Sequence, residues 1–369
     1  MNMDFIKDYD FFTGVPDSQL QPLCNCLMHT YGIGNHHIIA ANEGNSVAVA
    51  AGYHLATGKI PVIYLQNSGI GNIVNPVASL LHRKVYGVPM IFVVGWRGEP
   101  GVHDEPQHIF QGEITKRLLE DLDMKVLTVG PEPEHTALKA ELAALKPWLA
   151  EGGSIAIVVR KGALRFDEKV AYKNAYTLNR EAVIGQIVDA AADDLIVSTT
   201  GKISRELYEI RESRDQGHGM DFLTVGSMGH ASSIALGIAL QKPEAKVWCI
   251  DGDGAALMHM GAMAVIGANA PKNLIHIVLN NGAHETVGGM PTVASSVDWV
   301  KVAEGCGYPS ARSMGTADEV QGALREVRQT RQLCLLEIQV ALGSRADLGR
   351  PKTSAQENKL QFMRTLAQK

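Results

Sequence analysis

The segment Lys246–Gly254, KVWCIDGDG, followed by Leu274–Asn281, LIHIVLNN, decides how this chain folds. Each is an apolar run of strand length that stops at a turn, the first at Gly252-Asp253-Gly254 and the second at Asn280-Asn281. Asp253 and Asn281 stand 28 positions apart. That is the length of a strand, helix, strand unit, which returns the chain to the same edge of a sheet. A carboxylate, a side-chain amide and a backbone carbonyl then converge. Such a hard, all-oxygen donor set with positions left open suits Mg2+ whose octahedron is completed by phosphate oxygens. A lone GDG reads equally well as a bare turn, and its pairing with NN is what points to a metal-diphosphate site. Neither a P-loop GxxxxGK[ST] nor a GxGxxG fingerprint is present to support a nucleotide site.

Working outward, the same punctuation recurs in PVIYLQNSG, PMIFVVGW, SIAIVVRKG, DLIVSTTG and CLLEIQVALG. Near-continuous apolar strands closed by glycine or polar turns, alternating with helix-like stretches, predict an α/β fold with doubly wound parallel sheets covered on both faces. A weak repeat divides the chain: Gly44 and Gly52 bracket GNSVAVAAG, and Gly229 and Gly237 bracket GHASSIALG, each ahead of a strand. Two domains are expected, residues 1–165 and 181–369 with a C-terminal tail, joined by a polar linker at 166–180. Composition fits: the 369 residues are 46% hydrophobic and 20% charged, enough for two cores. A net charge of −5 speaks against nucleic acid or an anionic membrane as partner. No run reaches the length of a membrane span, and MNMDFIKDYDFF lacks the layout of a signal peptide, so a cytoplasmic protein is expected. The five cysteines lack metal-ligand spacing and read as reduced core thiols. Glycine is abundant, 37 residues, and it clusters at the turns that end these strands.

With GDG, 28 positions and NN in view, the chain resembles the thiamine diphosphate (ThDP) dependent decarboxylases, over nearly its whole length. The resemblance implies a pyrimidine-binding first domain and a diphosphate-binding second domain, with ThDP and Mg2+ as cofactors. It assigns the metal to Asp253, Asn281 and the backbone carbonyl of Ala283, and the diphosphate turn to Gly252 and Gly254. Met228, within GSMGH, takes the place of the apolar residue that bends the cofactor, and the carbonyl of Gly226 that of an acceptor for its 4′-amino group. Glu43, opening NEGNSVAVAAGYHLATGK, takes the place of the carboxylate facing the aminopyrimidine N1′. There a buried glutamate shares a proton with the ring and so activates the cofactor. Because Glu43 and Asp253 fall in different domains, the resemblance also implies a homo-oligomer with sites at a subunit interface.

Most such decarboxylases carry a third, central domain, for which this chain has no room. The compact form, with TTGKISREL, NNGAHETVGGMPT and GSRADLGRP, is similar to the branch acting on phosphonopyruvate or sulfopyruvate. The expected reaction is ThDP/Mg2+-dependent decarboxylation of 3-phosphonopyruvate to phosphonoacetaldehyde and CO2, a carbon–carbon lyase step in phosphonate biosynthesis. Sulfopyruvate decarboxylation and acetolactate-type carboligation are the enzymatic alternatives, and a nucleotide-binding regulatory protein is the non-enzymatic one. A dianionic or trianionic substrate requires local cations in a chain that is acidic overall. Arg97 and Lys202 follow strands and are candidates, as are Arg345 and Arg350 in GSRADLGR and His103 in the long loop after Arg97. His284, three residues past Asn281, is the candidate proton donor.

Overall fold

In the computed structural model, residues 3–131 and 138–369 are described. The chain separates into two compact units. The first runs to Tyr172 and includes Val287–Met290; the second comprises Lys173–Thr286 and Pro291–Lys369.

The first unit is built on a six-stranded sheet in the order His37–Ile39, Phe12–Gly14, Val62–Gln66, Ile91–Gly95, Ile155–Val159, Lys125–Val129. Every pairing is parallel. The apolar runs read from the sequence are its inner strands, and their alternate residues serve opposite faces. Tyr64, Ile91, Val93, Ile155 and Ile157 join one buried cluster with Phe12 and Leu23. Ile63, Leu65, Phe92, Val94, Ala156 and Val158 join the other, against Val47 and Ala51 of the helix Glu43–Thr57. A strand buried on both sides has no polar face to alternate, which is why these runs are continuous.

The second unit repeats the plan with the order Ala311–Met314, Cys334–Gln339, Leu274–Asn280, Val247–Gly252, Leu195–Ser198, Asp221–Leu223, again wholly parallel. Numbered by appearance within each unit, both sheets read 2-1-3-4-6-5. The two segments with glycines eight apart occupy equivalent places: each contributes to the helix after its unit's second strand, Glu43–Thr57 in one and Ala231–Gln241 in the other. Helix ends follow local chemistry. Asn42 caps Glu43–Thr57 by accepting from the Gly44 N–H at 2.7 Å, and Gly58 at φ 69° ends it. Thr316 and Glu319 form a reciprocal capping box at Ala317–Gln329.

In this strand order the chain reverses direction between strands 1 and 3, and α/β sheets bind ligands outside the carboxyl ends flanking that reversal. In the second unit those ends are Ser198 and Gly252; in the first they are Gly14 and Gln66. Among the described residues no helix is long and apolar enough to cross a membrane. The five cysteines form no disulfide.

Candidate active site

In the second unit, strand Val247–Gly252 delivers Asp253 to the first position of the short helix Asp253–Met258, only 3% exposed. Its Oδ2 accepts from the Thr292 hydroxyl at 2.5 Å. Burial pushes the carboxyl up to about 6, against the opposing pull of Thr292 and of backbone N–H groups including that of Asn281. The adjacent strand, with Leu279 in register with Gly252, delivers Asn281 to the same edge. Asn281 Oδ1 accepts from the Ala283 N–H at 3.0 Å, and its Nδ2 donates to Glu285 Oε2 at 2.9 Å. The pairing read from spacing is therefore a spatial one.

Glu285 is the hub of what surrounds Asn281. It accepts from Lys202 Nζ at 2.7 Å and from Arg180 Nη1. Arg180, itself buried, forks onto Glu206 with both bonds at 2.7 Å. Two cations hold Glu285 ionised, below the ordinary glutamate range despite burial. Lys202 is thus tied to a carboxylate beside Asn281. His284 is buried, and burial drives its imidazole down to about 4, so it is neutral at neutral pH. A Cβ on Gly254 would lie 3.1 Å from the His284 ring and 3.5 Å from Met228 Cε, so glycine there lets Asp253, His284 and Met228 crowd one corner. Met228 follows Ser227, a non-glycine residue at φ 58°, within the turn that begins at Gly226. Arg345 is shared among Glu181, Glu209 and Asp347. Arg205 donates to the carbonyls of Leu348 and Gly349, anchoring the segment that also carries Arg350.

In the first unit, Glu43 opens its helix and is 5% exposed. Its Oε2 accepts from Asn72 Nδ2 at 2.7 Å, and burial raises its pKa above the usual glutamate range. A Cβ on Gly69 would stand 2.3 Å from Oε1, so only glycine admits the carboxylate in this position. Arg97 makes a forked ion pair with Asp104, 2.7 Å at Nε and 2.5 Å at Nη2, and reaches Ser18 Oγ at 3.2 Å. Its guanidinium holds the loop that follows it, on which His103 is exposed. His108 is driven down to about 4 by burial and the neighbouring Arg97.

The residues singled out from sequence thus divide. Gly226, Met228, Gly252, Asp253, Gly254, Asn281, Ala283, His284 and Lys202 belong to the second unit, and Glu43, Arg97 and His103 to the first. Reading the sequence gave no role to Thr292, and it did not foresee the Asn72–Glu43 bond or the tie of Glu285, a neighbour of Asn281, to Arg180 and Lys202. Asn72 lies three residues past the run PVIYLQNSG; nothing local marks Thr292, 39 residues beyond Asp253. It also missed Asp17, fully buried beneath the first sheet's edge, which accepts from Gln66 Nε2 at 2.5 Å and from the Gln19 N–H at 3.0 Å.

Comparison with known proteins bears on both units. Residues 5–119 match the N-terminal TPP-binding domain of thiamine pyrophosphate enzymes, and residues 199–338 match their C-terminal TPP-binding domain. The chain is 36% identical over 365 residues to a phosphonopyruvate decarboxylase of Streptomyces hygroscopicus, covering 93% of this chain and 87% of that protein. It is 37% identical over 360 residues to one of Streptomyces viridochromogenes, covering 93% and 88%. A sulfopyruvate decarboxylase of Methanosarcina acetivorans is 29% identical over 318 residues, covering 80% of this chain and 79% of that protein. With both of its characteristic domains matched and relatives aligned over nearly its full length, the chain belongs to the thiamine pyrophosphate (ThDP) enzyme family.

Proposed function

We propose that this protein is a ThDP- and Mg2+-dependent decarboxylase that converts 3-phosphonopyruvate to phosphonoacetaldehyde and CO2. The observation that carries the substrate is the 36–37% identity to two phosphonopyruvate decarboxylases over 93% of the chain, against 29% over 80% for the sulfopyruvate enzyme.

The cofactors are judged on the chemistry of the residues present. Asp253 is a buried carboxylate whose ionised form is disfavoured without a cation and which accepts from the Asn281 backbone N–H; Asn281 and the Ala283 carbonyl would add neutral oxygens. That is a fit for Mg2+ bridging to a diphosphate. Asp253, Asn281 and Ala283 would hold the metal. Gly252, Gly254, Gly226 and Met228 would line the cofactor, with Glu43 serving its aminopyrimidine. When bound, ThDP supplies the electron sink that lets a 2-oxo acid lose CO2.

The chain's own groups do the rest. Glu43, buried and hydrogen-bonded by Asn72, keeps its proton to higher pH than an exposed glutamate, so it is suited to share one with the aminopyrimidine. Glu285 holds the Asn281 amide so that its oxygen and nitrogen do not exchange places. Overall the reaction consumes one proton, which replaces the departing carboxyl carbon on the aldehyde. Neutral His284 is the group proposed to deliver that proton. Lys202, Arg97, Arg345, Arg350 and His103 remain the proposed contacts for substrate anions. Among them Lys202 has the best support, since its ammonium is tied to Glu285 beside Asn281. Homo-oligomerisation, which the family resemblance implies, completes the proposal.

The test offers purified protein, with ThDP and Mg2+, phosphonopyruvate, sulfopyruvate and pyruvate in turn. Equimolar CO2 and phosphonoacetaldehyde from the first is expected. Preference for sulfopyruvate would reassign the substrate, and inactivity on all three would end the proposal. Light scattering of the same sample reads the oligomer directly.

A further inference from the structure

The second unit holds a polar cluster in the apolar middle of its sheet. His276, on strand Leu274–Asn280, pairs in register with Cys249 on Val247–Gly252, and Asp251 lies two residues farther along the latter strand. The three side chains therefore project from one face of the sheet. Cys249 and Asp251 are wholly buried and His276 is 1% exposed. Among the described residues they are the one group of three whose ligating atoms all lie within 4.8 Å of one another.

The cluster is not satisfied by the protein. His276 Nε2 faces Asp251 Oδ2 at 3.6 Å, beyond a hydrogen bond, and neither that nitrogen nor either Asp251 oxygen has a hydrogen-bond partner. Buried polar groups are almost always partnered, so three orphaned atoms aimed at one another call for something between them. Tyr308 OH lies 3.2 Å from His276 Nδ1. A partner on Nδ1 is the arrangement that leaves Nε2 to a metal.

We propose that Cys249, Asp251 and His276 bind one divalent transition-metal ion of the zinc class. The 3.6 Å gap is near the edge of a tetrahedron whose metal–ligand bonds are about 2.0–2.1 Å. A sulfur, nitrogen and oxygen donor set selects zinc, cobalt or iron over magnesium. Charge also balances: a thiolate and a carboxylate cancel the ion while the imidazole stays neutral, so no net charge is left in the interior. On binding, the proton of the Cys249 thiol goes to solvent and the ion takes its place. Since all three ligands are sealed from solvent, the ion enters as the unit folds. Its effect is to cross-link the two strands that end at Asp253 and Asn281.

The experiment measures metal in protein from zinc-supplemented cells, purified with Mg2+ present, by mass spectrometry of the elements. About one zinc per chain is expected. Cobalt-loaded protein should show a thiolate-to-cobalt charge-transfer band that Cys249→Ser abolishes and Cys24→Ser keeps. Tyr308→Phe should weaken zinc binding about tenfold. Asp253→Asn should retain both zinc and band, so loss of the proposed Mg2+ site and loss of this one are separable. Parent protein without equimolar zinc and without the band overturns the proposal, as does a band unchanged in Cys249→Ser. The parent measurements decide even if that variant fails to fold.

Discussion

The two units share the strand order 2-1-3-4-6-5, and the same two strand ends carry opposite solutions. After strand 3 the first unit places Asn67 and the second Asp253, both buried at the start of a helical turn. After strand 4 they place Arg97 and Asn281. Asn67 is spent internally: it accepts from the Arg97 N–H at 3.2 Å and donates to the Arg97 carbonyl at 2.7 Å and to Thr115 at 2.9 Å. Its amide ties two loops together and asks for nothing else. Asp253 has the same shape with one oxygen in place of a nitrogen, and burial leaves its charge under-compensated. A scaffold duplicated in topology thus separates a tether from the proposed cation site by one atom. The carboxylate of the first unit moves instead to the helix after strand 2, as Glu43, where a neutral amide supports it in place of a cation.

Making the second unit imitate the first is the sharpest way to break that contrast. Asp253→Asn should weaken Mg2+-dependent ThDP binding, read by calorimetry, by more than the roughly 100-fold that outer-shell changes reach. Retained affinity would mean that the shared topology, with no help from the charge, makes the site. Glu43→Gln should lower kcat by about 10²- to 10⁴-fold while ThDP affinity changes little. Equal loss of both would erase the proposed division of labour.

The same variant carries a pH prediction for protein without added cofactor. The folded Glu43 carboxyl holds its proton to higher pH than the unfolded one. Its contribution is full below the ordinary glutamate range and is lost as pH rises through the folded value. Glu43→Gln should therefore gain stability over the parent as pH rises from the ordinary glutamate range through the folded value, read by urea titrations across pH. A parent that gains on the variant over that interval would contradict the burial argument.

Smaller effects sharpen the picture. Glu285→Gln should cost about 10- to 100-fold in metal-dependent cofactor affinity by freeing the Asn281 amide. Asp104→Asn, the corresponding blow to Arg97 in the first unit, should spare that affinity and cost about 1.5–3 kcal/mol of stability in the charged hydrogen bonds lost. If both act on cofactor binding, the Arg97 loop serves the cofactor as well as the substrate anion. Asn42→Ala should cost about 1 kcal/mol through the lost cap, measured by thermal melting.

Much of this was legible because it is periodic or local. Continuous apolar runs announce strands buried on both faces, and Val62–Gln66, Ile91–Gly95 and Val247–Gly252 are such strands. GDG and NN at 28 positions announce two neighbouring strand ends. What escaped was pairing between distant residues. Lys202 and Arg97 read equally as free cations after strands, yet each is engaged by a carboxylate, Glu285 and Asp104. Thr292 reaches Asp253 from a segment with no pattern of its own. Cys249, Asp251 and His276 lie 27 positions from end to end and carry no recognised ligand spacing, so only strand register brings them together.

By itself the sequence determined the long apolar strands, where they stop and which residue types wait at those stops, since side-chain periodicity and turn chemistry are properties of the local chain, whereas short strands such as Phe12–Gly14 and Asp221–Leu223 carry too little pattern to be read. The tertiary structure alone decided which charges are satisfied and which are held in reserve. That follows from desolvation and hydrogen bonding by residues remote in sequence, and it is why buried Asn67 is a tether while buried Asp253 holds a charge that its neighbours only partly offset.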